Sequence, residues 1–328
     1  MIQKTDWQKL LKQHPEANFH QSEAWARTNE LIGHEIVMLR TGKTGLVSMA
    51  IKNAKRGRYI EIPAGPLLDW TDEQEIKSAL EEITRVAKFF HCSFARLRPQ
   101  LKNTPENREI LQKSGLKLAK MHLAAEHTVI LDLKKSEEEL LANMRRQTRY
   151  EVRRAKKLGI TVEKSNSEEI FREFHKIQSE TAKRQNFVPP DLKTLLAERE
   201  AFGKNAQIYV AKTAEGSPIA YGLVLSDGFE GDYYEAASTE LNRKLPGAYA
   251  LLWRATKDLK KQGFERFNLY GIAPPNSPNH RYAGVTTFKT GFGGEIVEFV
   301  PAHDLIINKF KYLPNLAIET IRKKRRHL

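Results

Sequence analysis

Apolar side chains recur along this chain at two spacings, one typical of helices and one typical of strands. From Asp72 to Phe90 they follow the i, i+3, i+4 spacing of a helix that buries one face. Alternating apolar positions, separated by Gly and Lys/Arg clusters, predict strands at residues 35–40, 44–51, 59–62 and 126–133. These patterns predict a mixed sheet with helices packed on it, complete by about residue 135.

A second unit of similar design is predicted to follow. One continuous helix is expected from Ser136 to Leu158, and further helices are expected at about residues 167–186, 190–203 and 247–262. Strands are expected at residues 160–163, 207–212, 219–225, 230–237, 266–270 and 295–300, and a basic helix closes the chain. We therefore predict an α+β fold with two domains, residues 1–135 and 136–307.

Composition narrows the class of protein. The 328 residues include 54 Lys+Arg and 40 Asp+Glu, and the formal charge of +14 favours polyanionic partners such as nucleic acid, anionic lipid headgroups or diphosphate-bearing substrates. No apolar stretch of about 20 residues and no apolar segment near Met1 is present, which predicts a cytoplasmic protein. The single cysteine, Cys92, excludes an intramolecular disulfide and a Cys-rich zinc cluster, and we expect it in the core. No metal-ligand spacing is visible, so no metal is expected.

A glycine-containing turn, Arg243-Lys244-Leu245-Pro246-Gly247-Ala248, lies between a predicted strand and a predicted helix. Backbone N–H groups at such a helix start can bind an anion. In acetyltransferases of the GNAT fold the coenzyme A loop has the form Gln/Arg-x-x-Gly-x-Gly/Ala, from which this turn is one residue off, and it lacks the first Gly. An anion site and a plain helix start therefore both stay open as interpretations.

A lysine between two aromatic residues is the second candidate site. We interpret Phe288-Lys289-Thr290-Gly291-Phe292-Gly293-Gly294 as a Gly-rich hairpin, in which the glycines let the backbone turn sharply and approach a ligand. A lysine beside an apolar wall places a positive charge in a partly dry site, where it can stabilise an oxyanion during acyl transfer. A solvated turn is the alternative interpretation.

Four segments of the chain resemble the FemABX family, enzymes that build the peptide cross-bridge of peptidoglycan from aminoacyl-tRNA. They are Phe19–Trp25, Ile62–Asp69, Leu140–Val162 and the stretch from Tyr234 to Gly294. In that last stretch the residues that match in order and spacing are Tyr234, Trp253, Gly263, Tyr270-Gly271-Ile272 and Phe288-Lys289-x-x-Phe292-Gly293-Gly294.

The resemblance implies two GNAT-like domains, with residues 308–328 joining the first, and a member without the coiled-coil arm of many relatives. It implies that Lys289 acts on the aminoacyl ester as the catalytic residue. It also implies that Arg184, in the stretch Thr181-Ala182-Lys183-Arg184, contacts the diphosphate of the precursor. The other residues that we assign to precursor binding are Tyr234, Phe288, Gly291 and Gly293.

A basic run between Arg145 and Lys157 is the candidate surface for tRNA. On one continuous helix, a single stripe would contain Arg145, Arg149, Arg153 and Lys156, an arrangement that neutralises successive phosphates. A solvated basic face is the alternative interpretation. The tail Arg322–His327 is either a flexible charged end or a contact with the anionic inner leaflet of the membrane, where a lipid-linked precursor resides.

The predicted function is transfer of an amino acid from aminoacyl-tRNA to the stem peptide of a UDP-linked or lipid-linked muropeptide, by a monomer without a cofactor. Two alternatives stay open. One is an acyl-CoA-dependent N-acyltransferase of the GNAT type, and the other is a catalytically inactive protein that binds nucleic acid or a membrane surface. No general base is identified, and the neighbouring ribose hydroxyl is a candidate for relaying the proton.

Overall fold

The computed structural model describes residues 4–55, 57–185 and 187–326. The chain divides into two compact units, one formed by residues 1–126 together with 298–328 and the other by residues 127–297. Of the basic tail, His327 lies outside the described residues. Across the described part of the chain, no helix combines the length and the apolar composition needed to cross a membrane.

The first unit packs helices against one mixed sheet. Its helices are α1 (Lys4–Leu11), α2 (Glu23–Leu31), α3 (Glu73–Phe89), α4 (Pro105–Lys113) and α11 (Lys309–Arg326). Its strands are β1 (Glu35–Thr41), β2 (Gly45–Ala54), β3 (Gly57–Pro63), β4 (Phe94–Arg98), β5 (Lys117–Leu118) and β13 (His303–Ile306). The strand order is β1-β2-β3-β4-β13-β5, in which β3 and β4 are parallel.

Helix α3 illustrates how the sequence produces this packing. The Asp72 carboxylate caps the helix by accepting hydrogen bonds from the backbone N–H groups of Gln74 (2.9 Å) and Glu75 (3.2 Å). Further along the same helix, Ile76 and Ile83 lie on the buried face and join the core of the first sheet. The predicted helix from Asp72 to Phe90 is therefore confirmed in type and position.

The second unit also builds one mixed sheet. Its helices are α5 (Glu137–Asn143), α6 (Arg146–Lys157), α7 (Glu168–Gln185), α8 (Leu192–Phe202), α9 (Gly247–Lys261) and α10 (Ala283–Thr290). Its strands are β6 (His127–Asp132), β7 (Thr161–Ser165), β8 (Ala206–Lys212), β9 (Pro218–Asp227), β10 (Glu230–Ser238), β11 (Arg266–Asn268) and β12 (Glu295–Glu298). The strand order is β12-β6-β11-β10-β9-β8-β7.

Two neighbouring strands of this sheet separate partway along their length. β10 and β11 pair in parallel from Glu230 opposite Arg266 to Asp232 opposite Asn268. β11 then ends, while β10 continues along β9 with a bulge between Tyr233 and Glu235. A bulge re-aims side chains and is common next to functional sites. β10 and β11 therefore diverge after Asp232 and Asn268, and we call this point of divergence the β10–β11 cleft.

The predicted helix from Ser136 to Leu158 is wrong, because the structure contains two helices, α5 and α6. Met144 and Arg145 between them have extended backbones, with ψ of 148° and 144°. The Arg145 N–H leaves the helical pattern and donates to the carbonyl of Gly291 at 2.8 Å. A contact distant in sequence therefore interrupts a segment that carries no local break signal.

The domain boundaries also differ from the predicted ones, lying about ten residues earlier in each case. β6 belongs to the second unit because it pairs with β11. β13, which the sequence did not predict, belongs to the first unit because it pairs with β4 on one side and β5 on the other. Sheet pairing decides which unit each segment joins.

Candidate active site

Lys289 lies at the end of α10, with only 8% of the residue exposed. The predicted Gly-rich hairpin is therefore wrong for Phe288, Lys289 and Thr290, which are helical. The Nζ atom of Lys289 donates a hydrogen bond to the Gly271 carbonyl at 2.9 Å and lies 5.8 Å from the centre of the Tyr233 ring. Burial lowers the pKa of Lys289 to about 7. The side chain is thus a buried amine that titrates near neutral pH.

Two tyrosines lie at the β10–β11 cleft, Tyr234 on β10 and Tyr270 next to Gly271, the residue that Lys289 contacts. The rings of Tyr234 and Tyr270 meet edge to face with their centres 5.2 Å apart. Tyr270 has a positive φ of 62°, which turns the chain away from β10 immediately after β11. Its N–H donates to the Asn268 side-chain oxygen at 2.9 Å, which holds that turn. Two aromatic rings therefore meet at this point of the sheet, and the Lys289 amine contacts the residue that follows Tyr270.

This arrangement suits stabilisation of a developing negative charge. An ammonium group has three N–H donors, and the Lys289 hydrogen bond to Gly271 uses one of them. Two donors are left for an oxygen of a ligand. In apolar surroundings such charge-assisted hydrogen bonds are stronger than in water. Lys289 can therefore stabilise an oxyanion.

The glycines and the phenylalanine that we assigned to precursor binding also have packing roles. A Cβ on Gly291 would lie 2.3 Å from Thr148 Oγ1, and a Cβ on Gly293 would lie 2.1 Å from the Asn143 carbonyl oxygen. Both glycines allow the end of α10 to contact α5 and α6 closely. Phe288 packs edge to face against Tyr249, with ring centres 5.0 Å apart.

The predicted basic stripe lies along α6: Arg145 is the N-cap of this helix, and Arg149, Arg153 and Lys156 lie on it. Arg145 donates to the Thr287 carbonyl at 2.5 Å, and Arg149 donates to the Ala142 carbonyl at 2.7 Å and to Met144. These two arginines hold the junction of α5, α6 and α10. The tRNA contact of the stripe stays a prediction. Arg153 and Lys156 lie exposed on α6.

Arg184 lies near the end of α7, beside the last residue of β10. Its guanidinium donates to Thr181 Oγ1 at 3.2 Å and to the carbonyl of Ser238, and it forms an ion pair with Glu240 at 3.2 Å. Thr181 also donates to the Ser238 carbonyl at 3.1 Å. The T-x-x-R pattern therefore joins α7 to the end of β10.

Three polar residues on the α7–α8 side of the sheet were not predicted from the sequence: Gln178 and Glu198, which are buried, and Glu235, which is half-buried. Gln178 donates from Nε2 to Oε2 of Glu235. Burial raises the pKa of Glu235 to about 7, although this hydrogen bond lowers it. Burial and the charge of Glu235 raise the pKa of Glu198 well above its usual range. One signal was available, since Glu198 follows Leu195 by three residues on the apolar face of α8.

The turn at Arg243–Ala248 packs closely against neighbouring residues of the same unit. A Cβ on Gly247 would lie 2.4 Å from Ile219 Cγ2, so the glycine permits close contact between α9 and β9. The Ala248 N–H donates to the Asn242 side chain at 3.1 Å. The Asn242 side chain thus accepts a hydrogen bond from one of the backbone N–H groups that an anion at this helix start would use.

Comparisons with known proteins support the fold and the family. The FemAB family model matches residues 2–215 and 193–320. An aminoacyltransferase FemA from Staphylococcus aureus (strain MRSA252) is 23% identical, with 93% of this chain and 96% of that protein covered. A crystal structure of FemX has a TM-score of 0.85 at 17% identity and covers 95% of this chain and 98% of its own.

A tandem GNAT protein from the clavulanic acid biosynthesis pathway has a similar fold, with a TM-score of 0.51 at 11% identity over 80% of this chain and 79% of its own. The predicted GNAT-like α+β fold is therefore confirmed. Among the described residues the longest helices have 18 residues, so none of them forms a coiled-coil arm. On the strength of the family match along nearly its whole length, this chain belongs to the FemAB family.

Proposed function

We propose that this protein is an aminoacyltransferase that moves an amino acid from aminoacyl-tRNA to an amine in the stem peptide of a peptidoglycan precursor. The observation that carries the proposal is the position of Lys289, buried at the β10–β11 cleft in a member of the FemAB family. The names of the relatives support the reaction class, since FemA is an aminoacyltransferase.

The chemistry requires little beyond positioning and charge stabilisation. The acceptor amine attacks the ester carbonyl, the ester C–O bond breaks, and the ribose oxygen leaves with a proton as a hydroxyl. Lys289 Nζ stabilises the oxyanion of the tetrahedral intermediate, a role worth roughly 3–4 kcal/mol. Holding amine and ester together supplies much of the remaining acceleration.

The donor is tested by following the release of tRNA from labelled aminoacyl-tRNA. We expect rapid release only when a UDP-linked or lipid-linked muropeptide is also present. An acyl-CoA-dependent enzyme would instead turn over acyl-CoA without tRNA, and an inactive binding protein would accelerate neither reaction. Either of those results would overturn the proposal.

For the precursor, we infer that Arg184 binds the diphosphate. Its guanidinium is partly exposed, and its neighbours Thr181 and Ser238 hold it at the end of β10. A ligand phosphate would compete with Glu240 for it, because both are anions at the same donor group. Tyr234 at the cleft belongs to the same proposed acceptor site.

For tRNA, we infer that the exposed part of α6 contacts the phosphate backbone. Replacing Arg153 and Lys156 by glutamine should weaken binding similarly for different tRNAs, since phosphate contacts do not read bases. The slope of log K against log salt should fall in magnitude by about 1.4–1.8 for two lost contacts. A double replacement of the exposed Lys176 and Lys204 is the matched control. An unchanged slope in the α6 variant would contradict this surface.

We also infer that the protein is cytoplasmic and that α11 contacts the anionic inner face of the membrane. The outer face of α11 carries Phe310, Leu313 and Ile321, which are 88%, 57% and 51% exposed. Its opposite face is bonded to the first unit, where Tyr312 donates to Asp304 at 2.9 Å. Exposed basic residues flank the apolar face on both sides, at Lys309, Lys311 and Arg322. An amphipathic basic helix binds anionic lipid surfaces.

Replacing Phe310 and Ile321 by serine should lower binding to phosphatidylglycerol-containing vesicles at least about 100-fold, because each apolar side chain loses roughly 1.5–3 kcal/mol of burial in the lipid. Co-sedimentation with vesicles measures the effect. Phe89→Ser is the control, since Phe89 is 74% exposed on α3 of the same unit. Equal binding by wild type and double variant would remove α11 as the membrane contact.

A further inference from the structure

Gln178 of α7, Glu198 of α8 and Glu235 of β10 form a polar cluster on one side of the second sheet. Gln178 and Glu198 are 2% and 1% exposed, and Glu235 is half-buried. Gln178 donates from Nε2 to Glu235 Oε2. Burial and the charge of the nearby Glu235 carboxylate raise the pKa of Glu198.

The cluster contains acceptor atoms that lack donors. Within the described part of the chain, Gln178 Oε1 and Glu198 Oε2 are buried without a hydrogen-bond partner. The orientation of the Gln178 amide is set by its donation to Glu235, because the opposite orientation would bring two oxygens together. A buried polar atom without a partner is costly, and such atoms in native proteins often mark a bound group.

The position of the cluster connects it with the active site. Glu235 immediately follows Tyr234, which lies at the β10–β11 cleft, and the bulge of β10 lies at these residues. Burial, together with the charges of Tyr270, Glu198 and Glu235, raises the pKa of Tyr234, so the two acids lie near this tyrosine. Glu235 is therefore one residue away from a side chain of the cleft.

The missing partner must supply several donors and a positive charge. A primary ammonium group has three N–H donors and one charge, so it could serve the two unpartnered oxygens, Gln178 Oε1 and Glu198 Oε2, and the carboxylate of Glu235. Two neighbouring carboxylates repel each other when both are ionised, so one of them tends to keep its proton. The pair then carries a single negative charge, which can pair with the ligand. We propose that Gln178, Glu198 and Glu235 form a subsite for a primary ammonium group of a substrate.

The inference rests on the proposed function, in which both substrates carry an amine. The acceptor is favoured as the source, because α7 and β10 also carry Arg184 and its partner Ser238, which we assign to the precursor. The acceptor amine and the diphosphate would then belong to one ligand that binds along α7 and β10. The α-ammonium of the aminoacyl group is the other source.

A binding experiment separates these sources without requiring turnover. Calorimetry compares a UDP-linked muropeptide that has a free lysine amine with the same compound acetylated on that amine. Filter binding compares aminoacyl-tRNA with the hydroxyacyl-tRNA made from it by deamination. Wild type should prefer the free-amine muropeptide, and Glu235→Gln should bind it about 10–100-fold more weakly while binding the acetylated form unchanged.

Glu198→Gln keeps the shape of the side chain and serves as the second variant, with the same expected loss of preference. Glu180→Gln, at an exposed acid on α7, changes the net charge equally and should behave as wild type. A preference found only among the tRNA ligands assigns the subsite to the donor. The subsite would be overturned if the wild-type protein bound both members of each ligand pair equally. It would also be overturned if folded Glu235→Gln and Glu198→Gln variants kept the wild-type preference for the free amine. If the wild-type protein preferred the free-amine ligand but transferred no amino acid, the subsite would stand and the proposed transferase function would be rejected.

Discussion

Replacing Lys289 by methionine should lower the turnover number for aminoacyl transfer about 10²–10³-fold. Methionine keeps most of the stem and removes the amine, which donates to Gly271 and has donors left for a substrate oxygen. The lost interaction is stronger in the transition state than in the ground state, so the apparent affinity for either substrate should change little. Single-turnover transfer at saturating substrate measures the effect.

The same variant should reveal the ionisation of Lys289. Because its pKa is about 7, the charged form is present below that pH and is lost above it. The ratio of kcat/KM for wild type to that for Lys289→Met should therefore fall by up to about tenfold per pH unit above pH 7. Ionisation of the acceptor amine affects both proteins and cancels in the ratio. A ratio that stays constant with pH would contradict a role for the charge.

Stability measurements separate this effect from folding. An unfolded lysine has a pKa of about 10.4, so between about pH 7 and pH 10 the unfolded chain binds more protons than the folded one. Wild-type stability should rise with pH across this window, and Lys289→Met should lack the rise. Lys261→Met, at an exposed residue of α9, is the control and should keep normal turnover. Near-normal transfer by Lys289→Met would make Lys289 a packing residue.

Gly293→Ala should destabilise the second unit by about 2–4 kcal/mol and lower its melting temperature by about 5–15 °C. Gly293 has a positive φ of 79°, which L side chains rarely adopt. A Cβ there would also lie 2.1 Å from the Asn143 carbonyl oxygen, a backbone atom that cannot move aside freely. Thermal unfolding followed by circular dichroism measures the change.

Gly284→Ala is a matched control for this substitution. Gly284 lies in α10, and no atom lies within 4 Å of a Cβ built there. Alanine in a helix is favoured over glycine, so this variant should be neutral or more stable by roughly 0.5–1 kcal/mol. Equal melting temperatures for Gly293→Ala and Gly284→Ala would show that the contact with Asn143 tolerates a methyl group.

Segments whose structure depends on local pattern could be predicted from the sequence. α3 follows from the cap at Asp72 and a continuous apolar face. The break between α5 and α6 could not be predicted, because Met144 and Arg145 carry no local signal and the Arg145 N–H bonds to Gly291, distant in sequence. β13 is too short to predict from alternation, and its pairing with β4 decides its place.

In the candidate site, too, local features could be predicted from the sequence and tertiary contacts could not. Lys289 was identified from its spacing to the neighbouring aromatic residues and glycines, yet α10 around it was missed because glycines next to a short helix mask its pattern. Its hydrogen bond to Gly271 and its lowered pKa depend on tertiary packing. The proximity of Glu198 to Glu235 likewise depends on α8 lying against β10, which no local spacing reveals.

The central claim, transfer of an aminoacyl group to a cell-wall precursor, is tested most directly by mass analysis of the precursor. UDP-linked and lipid-linked muropeptides would each be incubated with the protein and a pool of charged tRNAs. The account predicts that one precursor gains the mass of one amino acid less water, only with intact aminoacyl-tRNA and only slowly with Lys289→Met. Precursors of unchanged mass after prolonged incubation with the wild-type protein would contradict it.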